Sequence, residues 1–390
     1  MRQVSVGITF MIVGLTFLSA SSVGAQESRQ SPDTESLGKT VLSVFRERGS
    51  VPENMDLAMG PIRESRIPGF YETDIIATIN KSKSDTRDEH QHVHSENNEV
   101  QEMQDINSVL ITKDGRYAAF GDRFALGPNI KANIARYIRE VFRFGAGAQV
   151  AVSDPVDSAF SGFTEIGVSV ADGVRRQFQT FYGVDDNRIL VIGIVLPLVP
   201  VPAAETWKYI DLDDQPSQGS AHAKVTLVEY GDVDCPKSAQ LHDVIAKHVL
   251  PKYGDRVRIV FKDLPWTPIW SWTWQGSLAS QCAHQIDPKS FFMFRSAIFE
   301  NQNTFTATNV EPTLLSIAQA AGIPADKMKA CIDSGASRSR VEKDVQEARI
   351  LGIATTPTVL INGKMLIGQQ TPEDMDKAID AALVEASNSN

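Results

Sequence analysis

The chain has 390 residues, 42% of them apolar, and a formal net charge of −10. That length accommodates two or three globular domains with enough apolar material for their cores, and the acidic balance argues against a nucleic-acid surface. Only three cysteines are present, Cys235, Cys282 and Cys331, so at most one intramolecular bridge can form and one thiol is left over.

The N-terminus begins with a short positive start at Met1-Arg2. A mostly apolar run follows over Val4–Leu18, and the small residues of SSVGAQ suit cleavage after Ala25. This is the layout of a secretory signal peptide over residues 1–25. The apolar core is short for a membrane span and polar sequence follows at once, so no stable membrane insertion is expected after cleavage. The expected location is periplasmic or secreted. Residues 26–36 read as a flexible tail.

Two similar passages follow. The first is VFRERGSVPENMDLAMGPIRESRIPGFYETDI, with SVLITKDGRYAAFGDRFAL after it; the second is VFRFGAGAQVAVSDPVDSAFSGFTEIGV, with RRQFQTFYGVDDNRILVIGIVLPL after it. Each has a helix-like lead ending in Val-Phe-Arg, a Gly-Phe step into a strand, and an Asp-centred turn between two strands. TKDGRY and VDDNRI place Asp, Asn and Gly where a tight hairpin needs residues that tolerate positive φ. Alternating apolar and polar residues support the flanking strands. We read two copies of one α+β unit, over residues 37–128 and 129–204. A polar, charged segment at about 81–105 interrupts the first copy and reads as a disordered loop. It holds His90, His92 and His94, but nothing in its composition would hold them extended around an ion, so no metal is expected.

Prolines in PLVPVPAAE and turn residues in DLDDQPSQGSAHA make residues 205–222 a linker. From residue 223 the pattern becomes α/β. KVTLVEY is a short strand, CPKSAQLHDVIAKHVLPKYG an amphipathic helix, and RVRIVFKDLP another strand. A helical passage over about 269–351 comes next, then TTPTVLINGKMLIG as two strands around an Asn-Gly turn, and a closing helix.

This order resembles the DsbA-like branch of the thioredoxin fold. VEYGDVDCP carries its cysteine at a helix entrance, TTPTVLING places Pro357 where the family has a cis proline, and a helical insertion separates the two. The resemblance implies an α/β thioredoxin domain over residues 223–390. PGFYETDI followed by VLITKDGRYAAFGDRFAL is similar to the cystatin-like domain that precedes the thioredoxin fold in DsbC-type isomerases, here present twice. The family carries Cys-x-x-Cys; this chain has Cys235-Pro236-Lys237-Ser238. Exchange begins when a thiolate attacks a disulfide sulfur, which needs only one cysteine. A cysteine at a helix N-terminus is favoured as its anion by the unsatisfied N–H groups and the helix dipole. Lys237 adds positive charge, and the Ser238 hydroxyl, one turn in, is in reach of the sulfur. A lone Cys235 cannot, however, hand an internal disulfide to a substrate.

The resemblance further implies that Thr356 and cis Pro357 bind the substrate backbone beside the sulfur, and that Cys282 and Cys331 form a structural bridge. No cofactor is expected. Trp266, Trp270, Trp272 and Trp274 read as packing residues or as a rim for unfolded substrate, His242 as structural, and Glu229 with Lys262 as a buried pair that moves protons near the sulfur. The expected function is thiol–disulfide exchange with Cys235 as sole nucleophile, favouring isomerisation or reduction of mixed disulfides. Its expected partners are protein substrates with disulfides or oxidised thiols, and an external thiol or redox partner. The competing reading is a redox-inactive chaperone or binding module on the same fold.

Overall fold

The computed structural model describes residues 33–48, 51, 55–79, 104–142, 144, 147–172, 175–265, 272–306 and 308–388. The expected signal peptide, the His90–His94 segment, Trp266 and Trp270 lie outside them. Where a flexible tail is expected up to residue 36, helix already begins at Thr34.

The first unit runs α1 (Thr34–Arg48), β1 (Met55–Met59), β2 (Arg63–Glu64), β3 (Phe70–Ile79), β4 (Gln104–Thr112) and β5 (Tyr117–Ala125). The second repeats that order: α2 (Ile130–Val141), β6 (Gln149–Val152), β7 (Val156–Asp157), β8 (Thr164–Asp172), β9 (Arg175–Val184) and β10 (Ile189–Pro197). Asn129 caps α2 through its side-chain oxygen, which accepts the Ala132 N–H at 3.4 Å. The turn before β10 places Asp185, Asp186 and Asn187 at positive φ, the conformation for which short polar residues are suited.

The repetition extends to individual hydrogen bonds. Ser65 and Ser158 each reach a glutamate, Glu72 at 3.0 Å and Glu165 at 2.9 Å. Each hydroxyl also accepts the N–H two residues on, of Ile67 and of Phe160, at 3.1 Å. The glycine before each Phe, Gly69 and Gly162, has φ of 85° and 89°. The equivalent phenylalanines, Phe70 and Phe163, then meet edge to face at 5.2 Å.

Such a meeting is possible because the last strands of the units pair antiparallel along their whole length, from Tyr117 opposite Pro197 to Ala125 opposite Ile189. Gly121 stands opposite Gly193 at the midpoint. A Cβ on Gly193 would sit 1.9 Å from the Phe120 carbonyl oxygen, so the backbones cross too closely for any side chain there. The result is one sheet in the order β1-β3-β4-β5-β10-β9-β8-β6, with β2 on β3 and β7 on β8. Leu37, Val41 and Val44 of α1, at helical spacing, pack on Ile75, Val109, Ile111 and Phe120. Ile134 and Ile138 of α2 pack on Ile166, Val168, Phe181 and Leu190. Burying each such side chain is worth about 1.5–3 kcal/mol.

The stretch expected as a linker carries structure. A 3₁₀ turn spans Ala203–Lys208, Ile210 is buried in the next domain's core, and β11 (Ser217–Gly219) forms an edge strand. Beyond it run β12 (Val225–Gly231), α3 (Pro236–Val244), a π turn over Ile245–Val249, α4 (Leu250–Tyr253) and β13 (Val257–Asp263). The helical insertion is α5 (Thr273–Ile286), α6 (Phe291–Glu300), α7 (Val310–Ala320), α8 (Ala325–Ser334) and α9 (Arg338–Ile350). The chain closes with β14 (Thr358–Ile361), β15 (Lys364–Ile367) and α10 (Pro372–Asn388).

This second sheet has the order β11-β13-β12-β14-β15, with β12 and β13 parallel and β14 antiparallel to β12. Alternate residues serve opposite faces. Leu227, Ile259, Phe261 and Val359 meet Leu241 and Ile245 behind α3, together with Ile379 of α10. Val228, Tyr230, Val260 and Leu360 meet Trp274, Leu278, Val341 and Ala348 of α5 and α9. Arg48, at the end of α1, donates to the carbonyls of Leu351 and Gly352 and ties the first unit to this domain.

Candidate thiol site

The loop entering α3 is held by its own backbone and by two side chains from the insertion. Cys235 N–H donates to Asp232 O at 3.0 Å, and Asp234 N–H donates to Asp232 Oδ1 at 2.9 Å. The buried Asp232 carboxylate also accepts the Thr273 hydroxyl. Gln302 Nε2 donates to the carbonyls of Val233 and Cys235, at 2.8 and 3.2 Å. Cys235 is the N-cap of α3 and Pro236 its first residue, a position that tolerates a missing N–H. The sulfur therefore sits at the end of a helix whose first N–H groups point outward.

The Cys235 thiol is half-buried and donates to the carbonyl oxygen of Thr356 at 3.5 Å. The Thr356–Pro357 peptide bond is cis. Thr358 Oγ1 donates to Thr355 O at 2.8 Å, and Gly368 N–H to Pro357 O at 2.8 Å, so this turn is anchored on both sides. Residues 121 positions apart in the chain are thus brought into contact. Pro236 and Lys237 are exposed beside them. Ser238 is fully buried, and its hydroxyl accepts the Asp232 N–H at 3.3 Å.

Glu229 and Lys262 do not pair. Glu229 stands opposite Phe261 across the parallel strands, so Lys262, one residue on, projects from the other face. There Lys262 Nζ binds Asp344 at 3.0 Å, Glu347 at 2.7 Å and the carbonyl of Asp211 at 2.7 Å. The partner that Glu229 does share its face with is Arg295 of α6, which is fully buried and ion-paired to Asp263 at 2.8 Å. Burial pushes the Glu229 carboxyl up to about 7, against the pull of Arg295. Burial and Arg295 together push His242 down to about 3; its Nε2 lies 2.7 Å from Ser296 Oγ, within a cage of Phe261, Phe292 and Phe299. Neutral and enclosed, His242 is a packing residue.

Sequence reasoning missed Asp232, Asp263, Arg295 and Gln302. Arg295 leaves a trace, as the lone cation in FFMFRSAIFE, a largely apolar helix whose buried charge must have a partner. Trp272 is buried and stacked on Phe305 at 4.0 Å, and Trp274 is buried against Phe178. Neither belongs to a substrate-facing rim. Cys282 of α5 and Cys331 of α8 are joined as a disulfide with a Cα separation of 5.9 Å, and Cys235 is free.

A thiol at a helix entrance, a cis proline turn facing it and a helical insertion define a thioredoxin-type site. Residues 211–381 match the family model described as Thioredoxin. The chain is 26% identical over 215 residues to the probable disulfide bond formation protein D of Bacillus cereus, an alignment covering 50% of this chain and 98% of that protein. It is 27% identical over 171 residues to the disulfide bond formation protein D of Bacillus subtilis, covering 43% and 77%. Among solved structures, oxidised BdbD from Bacillus subtilis matches with 26% identity and a TM-score of 0.39, covering 45% of this chain and 95% of that one. The C-terminal half of the chain has a thioredoxin fold and is similar to these disulfide bond formation proteins. Among the described residues, no helix is long and apolar enough to cross a membrane.

Proposed function

We propose that the chain is an exported thiol–disulfide exchange protein acting on other proteins, with Cys235 as its single nucleophile. The observation that carries this reading is the meeting of Cys235 Sγ with the Thr356 carbonyl at 3.5 Å beside the cis peptide bond, with serine at the resolving position. The relatives named as disulfide bond formation proteins support the same chemistry. The Cys235 thiolate attacks one sulfur of a substrate disulfide and forms a mixed disulfide, and the substrate's other sulfur leaves as a thiolate. A second substrate thiolate then attacks the mixed disulfide, leaving a rearranged substrate bond and a free Cys235, with no net oxidation. Attack by an external thiol on the Cys235 sulfur instead releases the substrate thiolate and leaves Cys235 bonded to that thiol, and a second external thiol then frees Cys235 as the external disulfide forms. Pro236 and Lys237 flank the entry, Ser238 fills the buried place of a second sulfur, and Thr356 with Pro357 offers backbone to the substrate. The two N-terminal units, which we read as cystatin-like, present the thiol domain to its clients.

A protein with scrambled disulfides, mixed with the chain and quenched with an alkylating agent, tests this. Peptide mapping should find a mixed disulfide on Cys235, and native pairing should return in proportion to added small thiol. A chain that accelerates rearrangement equally well as Cys235→Ala, or forms no mixed disulfide, is a binding module instead.

A further inference from the structure

Strands β9 and β10 part company soon after their turn. They pair only over Tyr182–Val184 and Ile189–Val191, although β9 begins at Arg175 and β10 runs on to Pro197. Strand β9 keeps its ladder to β8, and β10 its ladder to β5, so each has one edge turned into the gap between them. That gap is a cavity of about 320 Å³, and a second of about 540 Å³ shares with it the walls formed by Phe178, Gln179, Thr180, Trp274, Val345 and Arg349. Five consecutive residues of each strand, 178–182 and 192–196, line the first cavity. Side chains of a strand alternate between faces, so five in a row means that the strand edge itself is the wall. Such an edge offers N–H and C=O groups at every second residue, and these need a partner. One of the carbonyls, that of Thr180, is met by the side chain of Gln179.

Trp274 of α5 and Val345 and Arg349 of α9 close the gap. Arg349 is half-buried, lines both cavities, and has no carboxylate within ion-pair distance among the described residues. The first unit treats its equivalent wedge differently. Counted from the opposed Gly121 and Gly193, the counterpart of Val195 is Arg123, which donates to Glu72 at 3.1 Å and to Ser108 and so laces β5 to β3 and β4. In the second unit valine has replaced the lace and the wedge stands open.

We propose that the gap between β9 and β10 binds an extended segment of a client polypeptide as an added strand, with apolar side chains beside Phe178, Ile194 and Trp274 and a carboxylate on Arg349. Open strand edges in an apolar slot call for alternating backbone donors and acceptors, which an extended peptide supplies. This site does not depend on thiol chemistry, and its test uses the Cys235→Ala chain to keep the two apart.

The probe is a dansylated Val-Thr-Val-Thr-Val-Leu peptide with a free C-terminal carboxylate, followed by fluorescence anisotropy. Saturable one-to-one binding is expected. Methylating alternate amide nitrogens, or filling the slot by Ile194→Trp, should weaken it at least tenfold. Arg349→Met should lower affinity for the acid peptide to that of its C-terminal amide. Should Ile194→Trp fail to fold by circular dichroism, Val345→Trp on the facing wall gives the same readout. No saturable binding overturns the proposal. So does equal affinity for the N-methylated peptide, which would make the gap a slot for small amphiphiles, and so does equal affinity in the filled or Arg349→Met chains.

Discussion

The hydroxyl of Ser238 accepts the main-chain N–H of Asp232 across the loop that presents Cys235, and it does so fully buried. Ser238→Cys therefore places a second sulfur one helical turn from the first, the separation that a Cys-x-x-Cys disulfide spans. Under oxidising conditions the variant should form a disulfide between Cys235 and the introduced sulfur, and it should gain dithiol turnover. Peptide mapping and an insulin-type reduction assay check both, and no bridge would mean that the site is closed to dithiol chemistry.

Removing the Cys282–Cys331 bridge by Cys282→Ala with Cys331→Ala should cost about 2–4 kcal/mol, because the bridge closes a loop of 49 positions in the unfolded chain. Cys235→Ala should leave stability within about 0.5 kcal/mol of the parent. Urea denaturation measures both. That contrast separates a bridge that holds the fold together from a free thiol that does not.

Glu229 makes stability depend on pH. Its folded-state carboxyl is raised from 4.5 to about 7, so the folded chain binds the proton more tightly than the unfolded one. Its contribution is therefore most favourable below 4.5 and is lost as pH rises through about 7. Glu229→Gln should match the parent near pH 5 and exceed it in melting temperature at pH 8. A variant that falls below the parent at pH 8 would show that the charged carboxylate is needed by Arg295.

Lys262→Met strands Asp344 and Glu347 without their buried cation and should cost about 3–5 kcal/mol. Because Glu229 and Lys262 serve opposite faces of the sheet, adding Glu229→Gln, itself neutral near pH 5, to Lys262→Met should leave the loss at that of Lys262→Met alone to within about 0.5 kcal/mol at pH 5. A larger coupling would restore the direct pair that their neighbouring strands suggest.

Gly193→Ala drives a Cβ into the Phe120 carbonyl and should open the seam between β5 and β10, at a cost of about 2 kcal/mol or more. Denaturant melts read the loss. An unaffected variant would mean that the two strands slide apart easily.

What could be read from the sequence was local or modular. Cys235 before Pro236, and Thr356-Pro357 before a β-branched strand, are short patterns, and their order along the chain is enough to place them in one fold. The Val-Phe-Arg and Gly-Phe steps likewise betray the repeat. Register was not legible: that Glu229 lies opposite Phe261 rather than Lys262 is a one-residue matter that reverses which face each side chain serves. Nor was the edge strand Ser217–Gly219, three polar or small residues whose structure comes from its neighbour β13. The gap beside β9 arises from strands that diverge after a sound hairpin, and no alternation of residue types records divergence.

The seam at Gly121 and Gly193 has a further consequence. A symmetric pair of separate chains dissociates on dilution and must write any change of surface on both partners at once. Here the two halves of the pair are spelled by different codons and tethered by one backbone, so their meeting is intramolecular and independent of protein concentration. One half is then free to keep its arginine lace while the other gives it up. A single thiol domain can thus rest on an asymmetric support that a pair of identical chains could not encode.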